Sequence, residues 1–192
     1  RVIRRFSETI MELASGELQE MAEAYDSNQT MEHYLERIYY KTASLFTTAG
    51  ESGAILSGAP EADVRALKDY GYNLGMAFQI VDDILDLEGT EEEVGKPVGN
   101  DLSRGIMTLP AIMAMERYPE GNPIPMIFLH PDDETHLKRA VDMIQSSSII
   151  QDAYSVAQEF CDKALKALRT FPQNPSRDSL AELVDYVLKR RG

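Results

Sequence analysis

One stretch constrains this chain more than any other: an apolar stripe at helical spacing that ends in acids. Successive residues of an α-helix are about 100° apart. Leu67, Gly71, Leu74, Phe78, Val81 and Leu85 therefore share one narrow face, the pattern of a helix packed into a core. Pro60 is placed to start this helix and Gly89-Thr90 to stop it just past Glu88, as proline and glycine do at helix ends. Gln79, Asp82, Asp83 and Asp86 fall on the adjacent face, within an arc of roughly 100°. The acids thus lie beside the apolar stripe, not opposite it, where a solubilising face would sit.

That position is unfavourable by itself. The acids crowd the C-terminal turns, where the helix dipole is negative. Like charges at an i, i+4 spacing repel by a few tenths of a kcal/mol. A multivalent cation would relieve both problems, and oxygen ligands without His or Cys nearby favour magnesium over zinc. A solvated acidic helix end stays open beside this reading, because Asp-Asp-x-x-Asp is short and common.

The rest of the chain is helical in pattern. Residues 2–25 predict an amphipathic helix with Ile3, Phe6, Ile10, Leu13 and Leu18 near one side. Thr30 is a candidate N-cap for a helix over residues 31–49, whose stripe runs through Met31, Tyr34, Leu35, Ile38, Thr42, Leu45 and Ala49. Lys41 falls at the edge of that stripe, where a lysine either snorkels to solvent or reaches into a polar cavity. Gly50, Gly53, Gly58 and Pro60 predict a connection over residues 50–60 with room for one helical turn. The helical pattern is lost over residues 89–105, where Lys96 sits between Gly95 and Pro97 in an acidic loop. It is a candidate anion contact or a partner of the neighbouring glutamates.

A helix resumes over residues 108–118, followed by a connection over 119–131 and a helix capped by Asp132 or Asp133. Residues 149–168 form another amphipathic helix. A linker over 171–177 precedes a last helix carrying Leu180, Leu183, Val184, Val187 and Leu188. No segment alternates with period two and nothing repeats. The expected class is all-α, one helical bundle and one domain over residues 1–192.

Composition narrows the function classes. A net charge of −13 argues against general affinity for nucleic acid or an anionic membrane. No run approaches the roughly 20 apolar residues of a membrane span, and no signal peptide is visible. A single cysteine, Cys161, excludes an intrachain disulfide and fits a reducing compartment, so a cytoplasmic location is expected. The chain opens at Arg1 already inside a helical pattern, which suggests a start within a longer protein.

Several segments carry a resemblance. Phe78-Gln79-Ile80-Val81-Asp82-Asp83-Ile84-Leu85-Asp86 resembles the second aspartate-rich motif of the trans-isoprenyl diphosphate synthases, or polyprenyl synthetases. Gly95-Lys96-Pro97-Val98-Gly99-Asn100-Asp101-Leu102 and Thr108-Leu109-Pro110 match the family's downstream pattern in order and spacing. Lys41-Thr42-Ala43-Ser44-Leu45 is similar to its lysine-threonine-alanine motif, and Gly16-Glu17-Leu18-Gln19 to a shorter upstream signature. The ending, through Leu180 and Tyr186 to Arg190, also resembles the family's C-terminus.

The resemblance implies an isoprenoid-synthase helical bundle that condenses an allylic diphosphate with isopentenyl diphosphate into a longer linear trans-polyprenyl diphosphate. It implies that Asp82, Asp83 and Asp86 hold magnesium bridged to the allylic diphosphate, with Asp82 the most direct ligand. Lys41 and Lys96 would contact that diphosphate, and Asp82, Asp83 and Lys41 would carry the catalysis. Thr42 and Gln79 would help position the substrates, Phe78 would line the apolar pocket, and Asp101 lies in a matching segment. The family is usually homodimeric.

Two departures are visible. The family's first aspartate-rich motif and its basic N-terminal residues are not in this chain, so little or no activity is expected of the 192-residue piece alone. Ile106 stands where many members carry a lysine. A non-catalytic subunit of a prenyltransferase and a terpene cyclase are the alternatives. The retained acids speak against the first, and the glycine-lysine loop and threonine-leucine-proline segment against the second.

Overall fold

Glu61–Glu88 forms one unbroken helix of 28 residues, α4, in the computed structural model, which describes residues 1–88 and 98–190. Before it come α1 (Val2–Glu23), α2 (Met31–Ile38), a π-helical turn (Tyr39–Ala43) and α3 (Ser44–Leu56). After it come α5 (Asn100–Ser103), α6 (Leu109–Arg117), α7 (Ile124–Leu129), α8 (Glu134–Gln145), α9 (Ile149–Leu168) and α10 (Pro175–Lys189). No strand occurs among the described residues, and none of their helices is long and apolar enough to cross a membrane.

Helix α4 is the axis of the bundle and packs most extensively against α9 and α3. Its burial is wider than one stripe. Leu74 and Val81 are buried as expected, but so are Met76, Ala77, Ile80, Ile84 and Leu87, while Phe78 and Leu85 are only partly covered. A helix surrounded by others needs apolar residues on several faces. Gly71 explains the close seat of α3: a Cβ there would lie 2.3 Å from the Phe46 carbonyl oxygen. Helix α10 is tied to α4 where the Tyr70 hydroxyl donates to the Leu180 carbonyl oxygen at 2.8 Å.

Three expectations are corrected. Residues 50–60 are not mainly a connection, because α3 runs on through Gly50 and Gly53 to Leu56. Each glycine costs a helix about 1 kcal/mol, and packing against α4 outweighs it. Residues 119–131 contain α7, started by Pro123 and Pro125 near its first turn. The helix expected over 31–49 is interrupted by the π-helical turn. The predicted caps hold: Thr30 accepts from the His33 amide, and Asp133 accepts from the Thr135 amide at 2.9 Å. Cys161 is buried, and burial pushes its thiol up to about 12.

Helix α1 is amphipathic as predicted, but it faces the other way. Ile3, Ile10 and Leu18 are 84%, 67% and 66% exposed, whereas Arg5, Thr9 and Gly16 are buried. The inward contacts are polar. Arg5 Nε donates to Thr48 Oγ1 at 2.9 Å, its Nη2 donates to Glu12 at 2.8 Å, and the Thr9 and Thr48 hydroxyls pair.

Candidate active site

The site begins at the π-helical turn. Such a turn holds one extra residue per turn and often occurs at functional sites; here it carries Lys41 and Thr42. Helix α1 approaches it at Gly16, where a Cβ would lie 2.8 Å from the Lys41 amide nitrogen. One turn further along α1, Glu20 meets Lys41, with Nζ at 2.6 and 2.7 Å from its two carboxylate oxygens. Lys41 therefore does not snorkel to bulk water. It reaches into a polar cavity of about 190 Å³, whose wall includes Glu20, Lys41, Gln79, Asp82, Asp83 and Asp101.

Across the cavity, the two neighbouring aspartates of α4 have opposite surroundings. Asp83 is 5% exposed. Its Oδ2 accepts from the Tyr34 hydroxyl at 2.7 Å and its Oδ1 from Gln79 Nε2 at 2.8 Å. Burial pushes its carboxyl up to about 7, held back by the bonds from Tyr34 and Gln79. Asp82 is half exposed, and its Oδ1 accepts from Arg190 Nη2 at 3.0 Å. The Arg190 guanidinium also lies 4.8 Å over the ring of Phe78, which packs against Phe46 at 5.5 Å between centroids.

Asp86 points elsewhere. Its Oδ2 accepts from the Asp101 amide at 3.0 Å. Burial and the charge of Asp101 raise its carboxyl to about 6. The Asp101 carboxyl is raised too, by burial, with Lys41 opposing. Behind Gln79, the Thr42 hydroxyl donates to its Oε1 at 2.6 Å.

These features coincide with a sequence match. The polyprenyl synthetase family profile matches residues 1–144. The chain belongs to the polyprenyl synthetase family. It is 38% identical over 188 residues to heptaprenyl diphosphate synthase component 2 of Bacillus subtilis, covering 98% of this chain and 54% of that protein. It is 38% identical over 189 residues to chloroplastic solanesyl-diphosphate synthase 2 of Oryza sativa, covering 98% and 46%. The chain thus spans about half the length of the curated relatives it matches. The crystal structure of heptaprenyl diphosphate synthase from Staphylococcus aureus superposes with a TM-score of 0.94 at 35% identity, covering 100% of this chain and 60% of that one. The polyprenyl synthase of Caulobacter crescentus, solved with calcium and isoprenyl diphosphate, gives 0.91 at 36% identity, covering 100% and 59%.

Within this polyprenyl synthetase fold, the cavity brings together Lys41, Gln79, Asp82 and Asp83 of the predicted residues, and Asp101 beside them. Thr42 joins through Gln79. Phe78 and Asp86 do not line it: Phe78 lies under Arg190, and Asp86 faces the Asp101 amide. Lys96 lies outside the described residues. Ile106 is on the cavity wall.

Four participants were missed. Glu20 lies one residue beyond the Gly16–Gln19 signature and four after Gly16, on the same helix face, so its reach could have been read from spacing. Tyr34 read as an ordinary member of an apolar stripe. Arg37 is buried, bonded to Gln29 and the Met107 carbonyl, and nothing in its spacing marks it. Arg190 is separated from Asp82 by 108 positions.

Asp82, Asp83 and Asp86 do not converge on one point. Among the described residues, no three His, Cys, Asp or Glu side chains form a group able to hold a metal ion. The chemistry nevertheless fits a hard divalent cation. Magnesium commonly takes one or two carboxylates and completes its shell with waters and substrate phosphates. Asp82 is accessible, only its Oδ1 is engaged by the described residues, and Asp101 lines the same cavity. The raised carboxyls of Asp83, Asp86 and Asp101 come first from burial, and at Asp83 and Asp86 the charge of Asp101 adds to it.

Proposed function

We propose that the protein containing this chain condenses an allylic diphosphate with isopentenyl diphosphate, giving a longer linear trans-polyprenyl diphosphate and free diphosphate. The carbon–oxygen bond of the allylic diphosphate breaks, the double bond of isopentenyl diphosphate attacks the resulting cation, and one proton leaves the new chain. The observation that carries this reading is the cavity itself, where Lys41 of the π-helical turn meets Gln79, Asp82 and Asp83 of the core helix α4.

Asp82 would hold a magnesium ion, with Asp101 and Asp86 close by. When bound, the metal neutralises charge developing on the leaving diphosphate. Lys41, held by Glu20, adds a fixed positive charge for the same oxygens, and such preorganised charge is worth most in a site closed to water. Ile38 and Ile106 give the cavity its apolar wall and would keep water from the cation. The relative solved with calcium and isoprenyl diphosphate supports the pairing of a divalent ion with a prenyl substrate.

The test is an assay of the full-length protein with labelled isopentenyl diphosphate, an allylic primer and magnesium. Linear prenyl diphosphates are expected, and Asp82→Ala should lower kcat by about 100- to 1,000-fold. Cyclic hydrocarbon products, or an Asp82→Ala variant of full rate, would overturn the reading. The 192-residue chain alone should show little or no turnover.

A further inference from the structure

The hydrogen bonds behind the cavity converge on Asp83. Tyr34 is fully buried on α2, and its hydroxyl donates to Asp83 Oδ2 at 2.7 Å. The other oxygen of Asp83 takes a donor as well. Gln79 supplies it with Nε2, at 2.8 Å. With Nε2 engaged in this way, Oε1 turns toward Thr42, whose hydroxyl donates to it at 2.6 Å. Thr42 has then given up its single proton, and only lone pairs remain on its oxygen. Gln79 on the cavity wall, and Thr42 bonded to it, are thereby ordered to offer oxygens. With the amide turned over, it would offer N–H groups, which repel developing positive charge.

We propose that Tyr34 is a positioning residue: acting through Asp83, it locks the Gln79 carboxamide so that the oxygens of Gln79 and Thr42 face the allylic carbon. Asp83 serves this lock with both of its oxygens and is not a metal ligand. The inference rests on the prenyl-transfer reading above, but the lock itself is a property of the protein without substrate.

Three variants of the full-length protein test it. Tyr34→Phe keeps the ring in the core and removes the donor. Its kcat should fall about 10- to 100-fold, the usual range for a partner that orients an active group, with the KM for the allylic diphosphate within about twofold of the parent. Asp83→Asn lets Asn Nδ2 donate to Gln79 Oε1, so the amide turns over and kcat should fall at least as far. Asp83→Asn combined with Gln79→Glu restores the order, because the new glutamate accepts from both the asparagine and Thr42. Recovery of at least tenfold in kcat over Asp83→Asn alone is expected.

A residue that merely holds helices together, or one that ligates metal, predicts no such recovery. An unrescued double variant that folds with the parent's circular dichroism would overturn the proposal. Exchange of the Gln79 side-chain amide protons, followed by NMR without substrate, reads the lock directly. Slow exchange is expected in the parent and at least tenfold faster exchange in Tyr34→Phe. Free-amide exchange in the parent would overturn the lock. Absence of prenyl transfer with slow exchange would overturn the prenyl-transfer reading and leave the lock standing.

Discussion

Helices α1 and α4 are both long and both amphipathic by sequence, yet they meet the rest of the molecule with opposite faces. Helix α4 buries Met76, Ile80 and Ile84 completely. Helix α1 turns Ile3, Ile10 and Leu18 to solvent and seats Arg5, Thr9 and Gly16 against α3 and the π-helical turn. The difference teaches that periodicity shows a helix has two sides without saying which one faces in. Burial of apolar surface holds α4, while α1 is held by hydrogen bonds and ion pairs, whose net worth per bond is much smaller.

The comparison can be broken most sharply at Ile80. Ile80→Ala should destabilise the chain by about 2–5 kcal/mol, as large-to-small core changes do, measured by urea unfolding. A loss below about 1 kcal/mol would mean that α4 is not the core's axis. Arg5→Ala should cost about 1–3 kcal/mol, because Thr48 and Glu12 lose a charged partner in a mostly buried setting. If α1 were held by apolar contact instead, the change would be close to neutral.

The buried end of α4 sharpens the contrast through pH. The Asp83 carboxyl is raised to about 7, above its usual value of 3.8. Between these values the folded chain binds more protons than the unfolded one, so this group's contribution to stability is fully present below pH 3.8 and is lost as pH rises through about 7. Without metal, Asp83→Asn should therefore gain stability relative to the parent on going from pH 5 to pH 8, read as the difference in urea midpoints. A constant difference would remove the burial argument for Asp83. The smallest effect belongs to the outer face of α1. Ile10→Ser should change stability by less than about 0.5 kcal/mol, as exposed substitutions do. A larger loss that shrinks on dilution would show that a second copy covers this face.

Much of the site was legible because its residues are close in sequence or share a helix face. Lys41 lay at the edge of a stripe, and Gln79, Asp82 and Asp83 lay beside one. Asp86, on the same arc, turned instead to the Asp101 amide, because the chain folds back there: the Gly99 amide donates to the Asp86 carbonyl. The glycines at 50 and 53 read as loop formers and are helical. Their missing side chains count as a local cost in sequence but permit close helix packing in space.

The sequence by itself determined the all-helical class, the run of α4 and α9, and the acids and lysine that stand near the apolar stripe, because these follow from spacing along one helix. Only the tertiary structure decided that α1 turns its polar side inward, that Glu20 holds Lys41, that Asp83 points into the core toward Tyr34, and that Arg190 reaches Asp82. The physical reason is the range of the forces involved. A 3.6-residue repeat is set by neighbours within a turn or two. The partner that a side chain finally meets is chosen by the packing of helices far apart along the chain, at separations such as the 49 positions between Tyr34 and Asp83.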